Sequence, residues 1–308
     1  MKVVILGKGS MLANLIEGVY DAGFEVSAVF RYERTTYSKF KLLLKDSFKS
    51  SPEFTLIKKH NIPEIKCKSA NSEKFKREIL KLNADIILVG TWHEKLKKEI
   101  INLPRIGTIN VHPSLLPKYR GPNPYIQTIL NGETQSGVTF HLMNENFDEG
   151  PILAQQKIDI LPCDTSKELK EKTVFQARLL CTELLKKLNI GIVQPIPQNN
   201  EFASYFQNIN GDEKMLDFKN MTSTEILNTI KALHPYLPTY ITYRNFFFIV
   251  NPYKVKILKK TGAPGEIIDK CTKTRSLTIA CKDRKTVKMS GLKFYNFPPL
   301  TKLIMNVI

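Results

Sequence analysis

Lys2-Val3-Val4-Ile5-Leu6-Gly7-Lys8-Gly9-Ser10 begins the chain, followed by Met11 to Asp21 and Val26 to Phe30. Residues 2–6 read as a buried strand, because their apolar run shows no polar alternation. Gly7 to Ser10 reads as a turn. Met11 to Asp21 reads as an amphipathic helix closed by Gly23, and Val26 to Phe30 as a second strand. Strand, helix and strand within thirty residues make a βαβ unit, which calls for a parallel, doubly wound sheet. Gly7 and Gly9 do not make a dinucleotide-binding turn. The third glycine is missing, and the second strand ends in Phe30-Arg31 without a ribose-binding acid. They are read as permitting a tight turn.

The same rhythm continues outward. The pattern predicts a charged helix over 73–82 and a fully buried strand from Asp85 to Gly90. A short helix is expected from Lys95 to Ile101, a strand from Arg105 to Val111 and a helix from Tyr125 to Leu130. Strands follow at Gly137 to Leu142 and Ile152 to Ile160. A long helix spans Ser166 to Leu188, with Asp164-Thr165-Ser166 offering its N-cap and Glu168 in its first turn. Ligands bind beyond the carboxyl ends of such parallel strands, which puts Gly90-Thr91-Trp92-His93 and the segment after Val111 in the crevice.

Two stretches break the rhythm. Between 31 and 51, Arg31, Arg34, Lys39, Lys41, Lys45 and Lys49 face only Glu33 and Asp46. This basic insertion is either an arm that grips a polyanion or a solvated helix packing Phe40, Leu42, Leu43, Leu44 and Phe48 inward. Pro195-Ile196-Pro197-Gln198-Asn199-Asn200 reads as a linker. Beyond it one helix, near 224–233, precedes short strands around 240–249, 253–259, 265–269, 275–281, 285–289 and 292–296, the pattern of a small β-barrel. The expected division is 1–194, a linker at 195–205, and 206–308.

The 308 residues carry a formal charge of +17. Residues 206–308 hold 14 Lys and 3 Arg against 4 Asp and 3 Glu, a net +10, so the excess concentrates in the barrel. A basic barrel suits a nucleic-acid partner, although the preference for Lys over Arg also fits biased codon usage. No apolar run reaches membrane-spanning length, and no secretory cleavage signal follows the N-terminus. Cys67, Cys163, Cys181, Cys271 and Cys281 show no metal or disulfide spacing, so a reducing cytoplasmic setting and no metal are expected.

The chemistry concentrates in Asn110-Val111-His112-Pro113-Ser114-Leu115-Leu116-Pro117-Lys118-Tyr119-Arg120-Gly121, and then in Asp148-Glu149-Gly150. Asn110 and His112, two residues apart on a strand, share one face. An amide, an imidazole and a carboxylate suit amine acylation: Asn110 donates to an oxyanion, His112 handles the proton and Asp148 orients the ring. His141 sits inside an alternating strand and reads as a packed, hydrogen-bonded residue.

This string, with Gly137-Val138-Thr139-Phe140-His141-Leu142-Met143 and Asp148-Glu149-Gly150-Pro151-Ile152-Leu153 after it, resembles the folate-dependent formyltransferase family. It looks most like the methionyl-tRNA formyltransferases and their amino-sugar relatives. Leu216-Asp217-Phe218, Ala232-Leu233-His234-Pro235 and Pro264-Gly265-Glu266-Ile267 match the family's C-terminal domain. The resemblance implies a Rossmann-like formyltransferase domain followed by an OB-like barrel, with 10-formyltetrahydrofolate as formyl donor. It implies Asn110, His112 and Asp148 as catalytic residues, with Asn110 and a protonated His112 stabilising the tetrahedral oxyanion. Asp148 then holds His112 and relays a proton through water.

The resemblance also places the pterin between Gly90, Thr91 and Trp92 on one side and Leu142, Met143 and Asn144 on the other. Trp92 either flanks the pterin or plugs the core. Ser114, Leu115, Leu116 and Arg120 border the acceptor, with Lys39 and Lys41 in the basic insertion; the loop also reads as a structural anchor, and Arg120 as a residue that orders it. The expected acceptor is initiator methionyl-tRNA, the alternative an amino sugar on a nucleotide. A basic RNA-binding protein with a degenerate site is set aside, since all three catalytic positions are intact.

Overall fold

A computed structural model describes residues 1–36, 51–209 and 214–295. Lys39, Lys41 and Lys45, with most of the basic insertion, lie outside the described residues. The chain divides into two compact units.

The first unit comprises Met1–Pro122, Gln135–Asp159 and Lys170–Phe206. Its six-stranded sheet runs in the order β2 (Glu25–Arg31), β1 (Lys2–Gly7), β3 (Ile86–Gly90), β4 (Gly107–His112), β5 (Gln135–Leu142) and β6 (Ile152–Asp159). β2, β1, β3 and β4 are parallel, the doubly wound core that the first thirty residues predict. β5 and β6 extend it as antiparallel strands.

Alternation along β1 and β3 supplies both faces of the sheet. Val3, Ile5, Ile86 and Leu88 pack with Met11, Leu12, Leu15 and Ile16 of the helix Gly9–Asp21, and with Ala177, Cys181 and Leu185 of the helix Ser166–Asn189. Val4, Leu6, Ile87 and Val89 pack the other way, against Phe75 and Ile79 of the helix Glu73–Leu82 and against Ile100 and Ile101. Each such fully buried aliphatic side chain contributes about 1.5–3 kcal/mol. β1 and β3 approach closely at their ends: a Cβ on Gly7 would lie 2.4 Å from the Gly90 carbonyl oxygen. Gly7 is therefore required by strand packing as well as by the turn.

The helix expected from Lys95 to Ile101 is shorter, Lys98–Ile101. Asn71 holds the preceding residues out of helical geometry. Its side chain donates to the Lys95 carbonyl at 2.8 Å and accepts from the Lys97 N–H at 2.7 Å. The Glu94 carboxylate is tied to Ser69, to the Ala70 N–H at 3.0 Å and to Asn71.

The second unit comprises Asn123–Thr134, Ile160–Leu169 and the residues from Gln207 onward. Its strands are antiparallel, in a four-stranded sheet of order β10 (Ile267–Cys271), β11 (Ser276–Ala280), β12 (Lys285–Met289), β9 (Val255–Thr261), and a three-stranded sheet of order β13 (Lys293–Tyr295), β8 (Phe246–Ile249), β7 (Tyr240–Tyr243). Their inner residues Ile241, Leu277, Ile279, Val287 and Met289 pack with Ile226 and Ile230 of the helix Ser223–Leu233. Thr222 and Glu225 form a reciprocal capping box that starts this helix. Arg244 and Asn245 both have positive φ, 49° and 64°, the two-residue turn whose twist matches an antiparallel hairpin. Lys256, Lys259 and Lys260 are exposed along β9, an edge strand, where charge also discourages pairing with another chain.

Among the described residues, no helix is long and apolar enough to cross a membrane.

Candidate active site

β4 carries Asn110 and His112 to the carboxyl end of the parallel core, and the chain then folds into the loop 113–121. Thr139 of β5 anchors this loop. Its hydroxyl donates to the Ser114 carbonyl at 2.6 Å and accepts from the Leu116 N–H at 3.2 Å. Gln155 of β6 donates to Thr139 Oγ1 at 2.8 Å and to the Leu116 carbonyl at 2.9 Å. Ser114 is fully buried, and its hydroxyl donates to the Lys118 carbonyl at 2.8 Å. The loop then returns over His112, where Tyr119 presents its carbonyl 2.7 Å from Nε2.

Asp148 closes the cluster from the β5–β6 connection. Its Oδ1 lies 3.4 Å from His112 Nδ1 and accepts from the Asn110 amide at 3.2 Å, while Oδ2 accepts from the Gly121 N–H at 3.0 Å. Asn110, His112 and Asp148 are thus brought together. His141 joins them: Asn110 Nδ2 lies 3.1 Å from His141 Nε2, and His141 Nδ1 lies 3.0 Å from the Leu142 carbonyl oxygen. The bonds assign tautomers. His141 carries its hydrogen on Nδ1, and His112 carries its hydrogen on Nε2, donating to Tyr119.

Burial governs the charges. Desolvation drives the His112 pKa below the ordinary histidine value, only partly countered by the charge of Asp148 and the Tyr119 carbonyl. Burial pushes the other way on Asp148, but His112, His141 and the Gly121 N–H outweigh it and hold the carboxyl far below the usual carboxylate range. The Gly121 and Asn110 donors favour the carboxylate whatever charge His112 carries. The site therefore holds an ionised Asp148 beside a His112 that burial biases toward its neutral form and that the carboxylate biases toward its charged form. A ring only 6% exposed pays desolvation on protonation, so the protonated His112 that the resemblance implies for the tetrahedral intermediate depends on the Asp148 carboxylate beside it.

The residues read as a pterin wall lie beside this cluster in the same unit. Gly90 ends β3, and Thr91 follows with φ 60° and an exposed side chain. Trp92 is half-buried, its ring centroid 5.3 Å from that of Phe30 and 5.1 Å from that of Tyr32, and its buried indole N–H has no hydrogen-bond partner. Met143 packs against the same apolar cluster as Trp92, Leu142 against the opposite one, and Asn144 is exposed. The two loops are linked by Lys95 over the Phe147 ring at 5.6 Å and by a 3.7 Å ion pair between Lys98 and Glu145. Among the described residues, no group of three His, Cys, Asp or Glu side chains has a metal-binding arrangement.

The family described as formyl transferase matches residues 1–185, and its C-terminal domain matches residues 208–300. The chain belongs to the formyl transferase family. The methionyl-tRNA formyltransferase of Clostridioides difficile is 31% identical to it over 271 residues, 87% of this chain and 85% of the relative. That of Enterococcus faecalis is 29% identical over 292 residues, 95% of this chain and 91% of the relative. The N-formyltransferase from Helicobacter canadensis, solved with folinic acid and dTDP-3-aminofucose, shares the fold at a TM-score of 0.71. It is 20% identical and covers 96% of this chain and 100% of its own.

In this formyltransferase, the residues read as acceptor-binding are differently disposed. Leu116 is buried and Leu115 half-buried. Arg120 is 7% exposed, and its guanidinium donates to Gln198 Oε1 at 2.8 and 3.2 Å and to Asn200 Oδ1 at 2.9 Å. The stretch read as a linker runs along the site. Ile152 and Ile196 exchange backbone hydrogen bonds at 2.8 Å, and Arg120 is bracketed by backbone bonds to Ser204 and Phe206. Gln198 Nε2 donates to the carbonyls of Asp148 and Gly150, each at 2.8 Å.

Sequence reading missed three contributors to this candidate site. His141, read as a packed and hydrogen-bonded residue, is both, and it also pairs directly across from Asn110. The strand alternation carried that signal, but the register between β4 and β5 did not follow from it. Gln198 and the Gly121 N–H carried no signal, since one lay in a proline-punctuated stretch and the other is backbone.

Proposed function

We propose that the enzyme transfers the formyl group of 10-formyltetrahydrofolate to the amino group of initiator methionyl-tRNA. The observation that carries this reading is the full-length likeness to methionyl-tRNA formyltransferases, which spans both units and reaches 95% of the chain. The basic last third of the chain, a net +10 over residues 206–308 out of +17 in all, supports a polyanionic acceptor.

In the proposed reaction the acceptor amine attacks the formyl carbon. The Asn110 amide turns one N–H from His141 or Asp148 to the developing oxyanion. The attacking amine loses a proton to Nδ1 of His112, the ring nitrogen without a hydrogen, and Asp148 stabilises the imidazolium that results. That proton passes through a water to the departing folate nitrogen, which restores the neutral ring. Oxyanion stabilisation and positioned proton transfer each contribute about 10²-fold or more. Trp92 and Met143 flank the pterin, with Gly90, Thr91, Leu142 and Asn144 around it, and the unpartnered Trp92 N–H meets a polar ligand atom.

A second reading has its own support. The Helicobacter canadensis enzyme and a sugar 3N-formyl transferase solved with dTDP and 5-N-formyl-THF share the fold over 96% of this chain. An amino sugar on a nucleotide is accordingly the alternative acceptor. The deciding experiment offers 10-formyltetrahydrofolate with initiator methionyl-tRNA and with a panel of nucleotide-linked amino sugars. Formylation of the tRNA alone is the expected result; formylation of a sugar alone overturns it.

A further inference from the structure

Asp148 is the one member of the proposed triad held on a loop in a left-handed backbone conformation, φ 58°. An aspartate there carries about 1 kcal/mol or more of strain, so the surroundings must impose it. Three bonds fix the turn. Gly121 N–H takes Oδ2 at 3.0 Å, and Gln198 Nε2 takes the carbonyls of Asp148 and Gly150. One side-chain amide thereby bridges both ends of the Asp148–Gly150 turn. Gln198 in turn is oriented by Arg120, whose Nε and Nη2 both point at Oε1. This fixes which end of the Gln198 amide is oxygen, and so which end can donate.

We propose that Gln198 is a positioning residue for formyl transfer: with Arg120 behind it, it clamps the Asp148–Gly150 turn and so sets the Asp148 carboxylate against His112 and Asn110. Arg120 then acts on the turn, through Gln198 and through its 3.7 Å ion pair with Glu149, and not on the acceptor. The segment carrying Gln198 is stitched to the motif loop by Arg120 N–H to the Ser204 carbonyl at 2.8 Å, Phe206 N–H to the Arg120 carbonyl at 3.0 Å, and Tyr119 N–H to Ser204 Oγ at 2.9 Å. Tyr119 and Phe206 stack at 5.0 Å, 9° from parallel. Gly121, at φ 96°, permits this approach; a Cβ there would lie 2.3 Å from the Phe206 carbonyl oxygen. The clamp therefore rests on a fixed strap.

The rate measurement rests on the formyl-transfer reading above, and a second measurement does not. Gln198→Met removes both arms of the amide. Gln198→Glu keeps an acceptor for Arg120 and removes only the donor to the turn, which makes it the gentler variant should the first fail to fold. Both are expected to lower kcat about tenfold or more, as small displacements of a catalytic group do, while KM for 10-formyltetrahydrofolate stays within about twofold. Arg120→Lys should lower kcat in the same direction, and combining it with Gln198→Met should add little to the larger single effect.

The measurement without substrate follows the His112 ring nitrogens by NMR across pH. The titratable groups facing His112 are Asp148 and His141. A carboxylate released from its clamp supports the imidazolium less, so the His112 midpoint should fall in Gln198→Met. A wild-type kcat in both Gln198 variants, a loss that disappears at lower temperature, or an unchanged His112 midpoint overturns the inference. Should the wild-type protein formylate no acceptor, the proposed function fails, and the NMR titration still decides the clamp.

Discussion

Asn110 and His141 face each other across the antiparallel β4–β5 pair, with the Asn110 amide nitrogen 3.1 Å from His141 Nε2. The same amide reaches Asp148 Oδ1 at 3.2 Å. Both of its hydrogens are thereby directed within the cluster before any substrate arrives. A preorganised donor needs no reorientation cost beyond releasing one of these two acceptors.

His141 is consequently expected to tune Asn110. His141→Ala should lower kcat about tenfold, less than Asn110→Ala, and the double variant should be far from the sum of the two. Steady-state kinetics of the two single variants and the double variant check this. Full activity in His141→Ala would return His141 to a packing role.

Stability should depend on pH through His112 in a fixed direction. Its folded pKa lies below the unfolded value of about 6.5, so the unfolded chain binds more protons as pH falls through that region. The contribution is complete above the unfolded pKa and is lost as pH falls toward the folded one. Thermal melts of wild type and His112→Gln between about pH 7.5 and 5 should show the wild type losing more Tm. Parallel Tm curves would contradict the burial argument. A neutral base also predicts that kcat/KM falls on the acid side of the ordinary histidine pKa.

Trp92 should report folate binding. Its half-buried ring packs against the same apolar cluster as Met143 and its N–H is unpartnered, so a non-reactive folate added to the protein should change its emission. Calorimetric binding with unchanged fluorescence would place Trp92 in the core alone.

The acceptor class should be readable from salt. A tRNA acceptor requires several phosphate contacts, so log affinity should fall linearly and steeply with log salt. Lys39→Glu, Lys41→Glu and Lys45→Glu together should weaken tRNA binding and flatten that slope, leaving folate affinity unchanged. Unchanged acceptor kinetics in the triple variant would point to the nucleotide-linked sugar, whose few phosphates give a shallow slope.

Local sequence determined much of this protein. The unbroken apolar runs at Val3–Leu6 and Ile86–Val89 dictated buried parallel strands, because only a strand covered on both faces uses both halves of such a run. The period-two spacing of Asn110 and His112 dictated that they share a strand end. The capping box of Thr222 and Glu225 starts a helix that the sequence reading places near 224–233 without it. What the sequence could not carry was register and return. Nothing local states that His141 lies opposite Asn110, that Tyr119 brings its carbonyl to His112, or that residues 196–206 run back along the motif loop to place Gln198 on the Asp148 turn. Several of these contacts, such as Ser204 N–H to the Pro117 carbonyl and Phe206 N–H to the Arg120 carbonyl, join distant segments through backbone groups that every residue possesses. The charge state of His112 follows the same division: its identity is local, but its lowered pKa exists only because tertiary packing removes the water that would solvate a proton there.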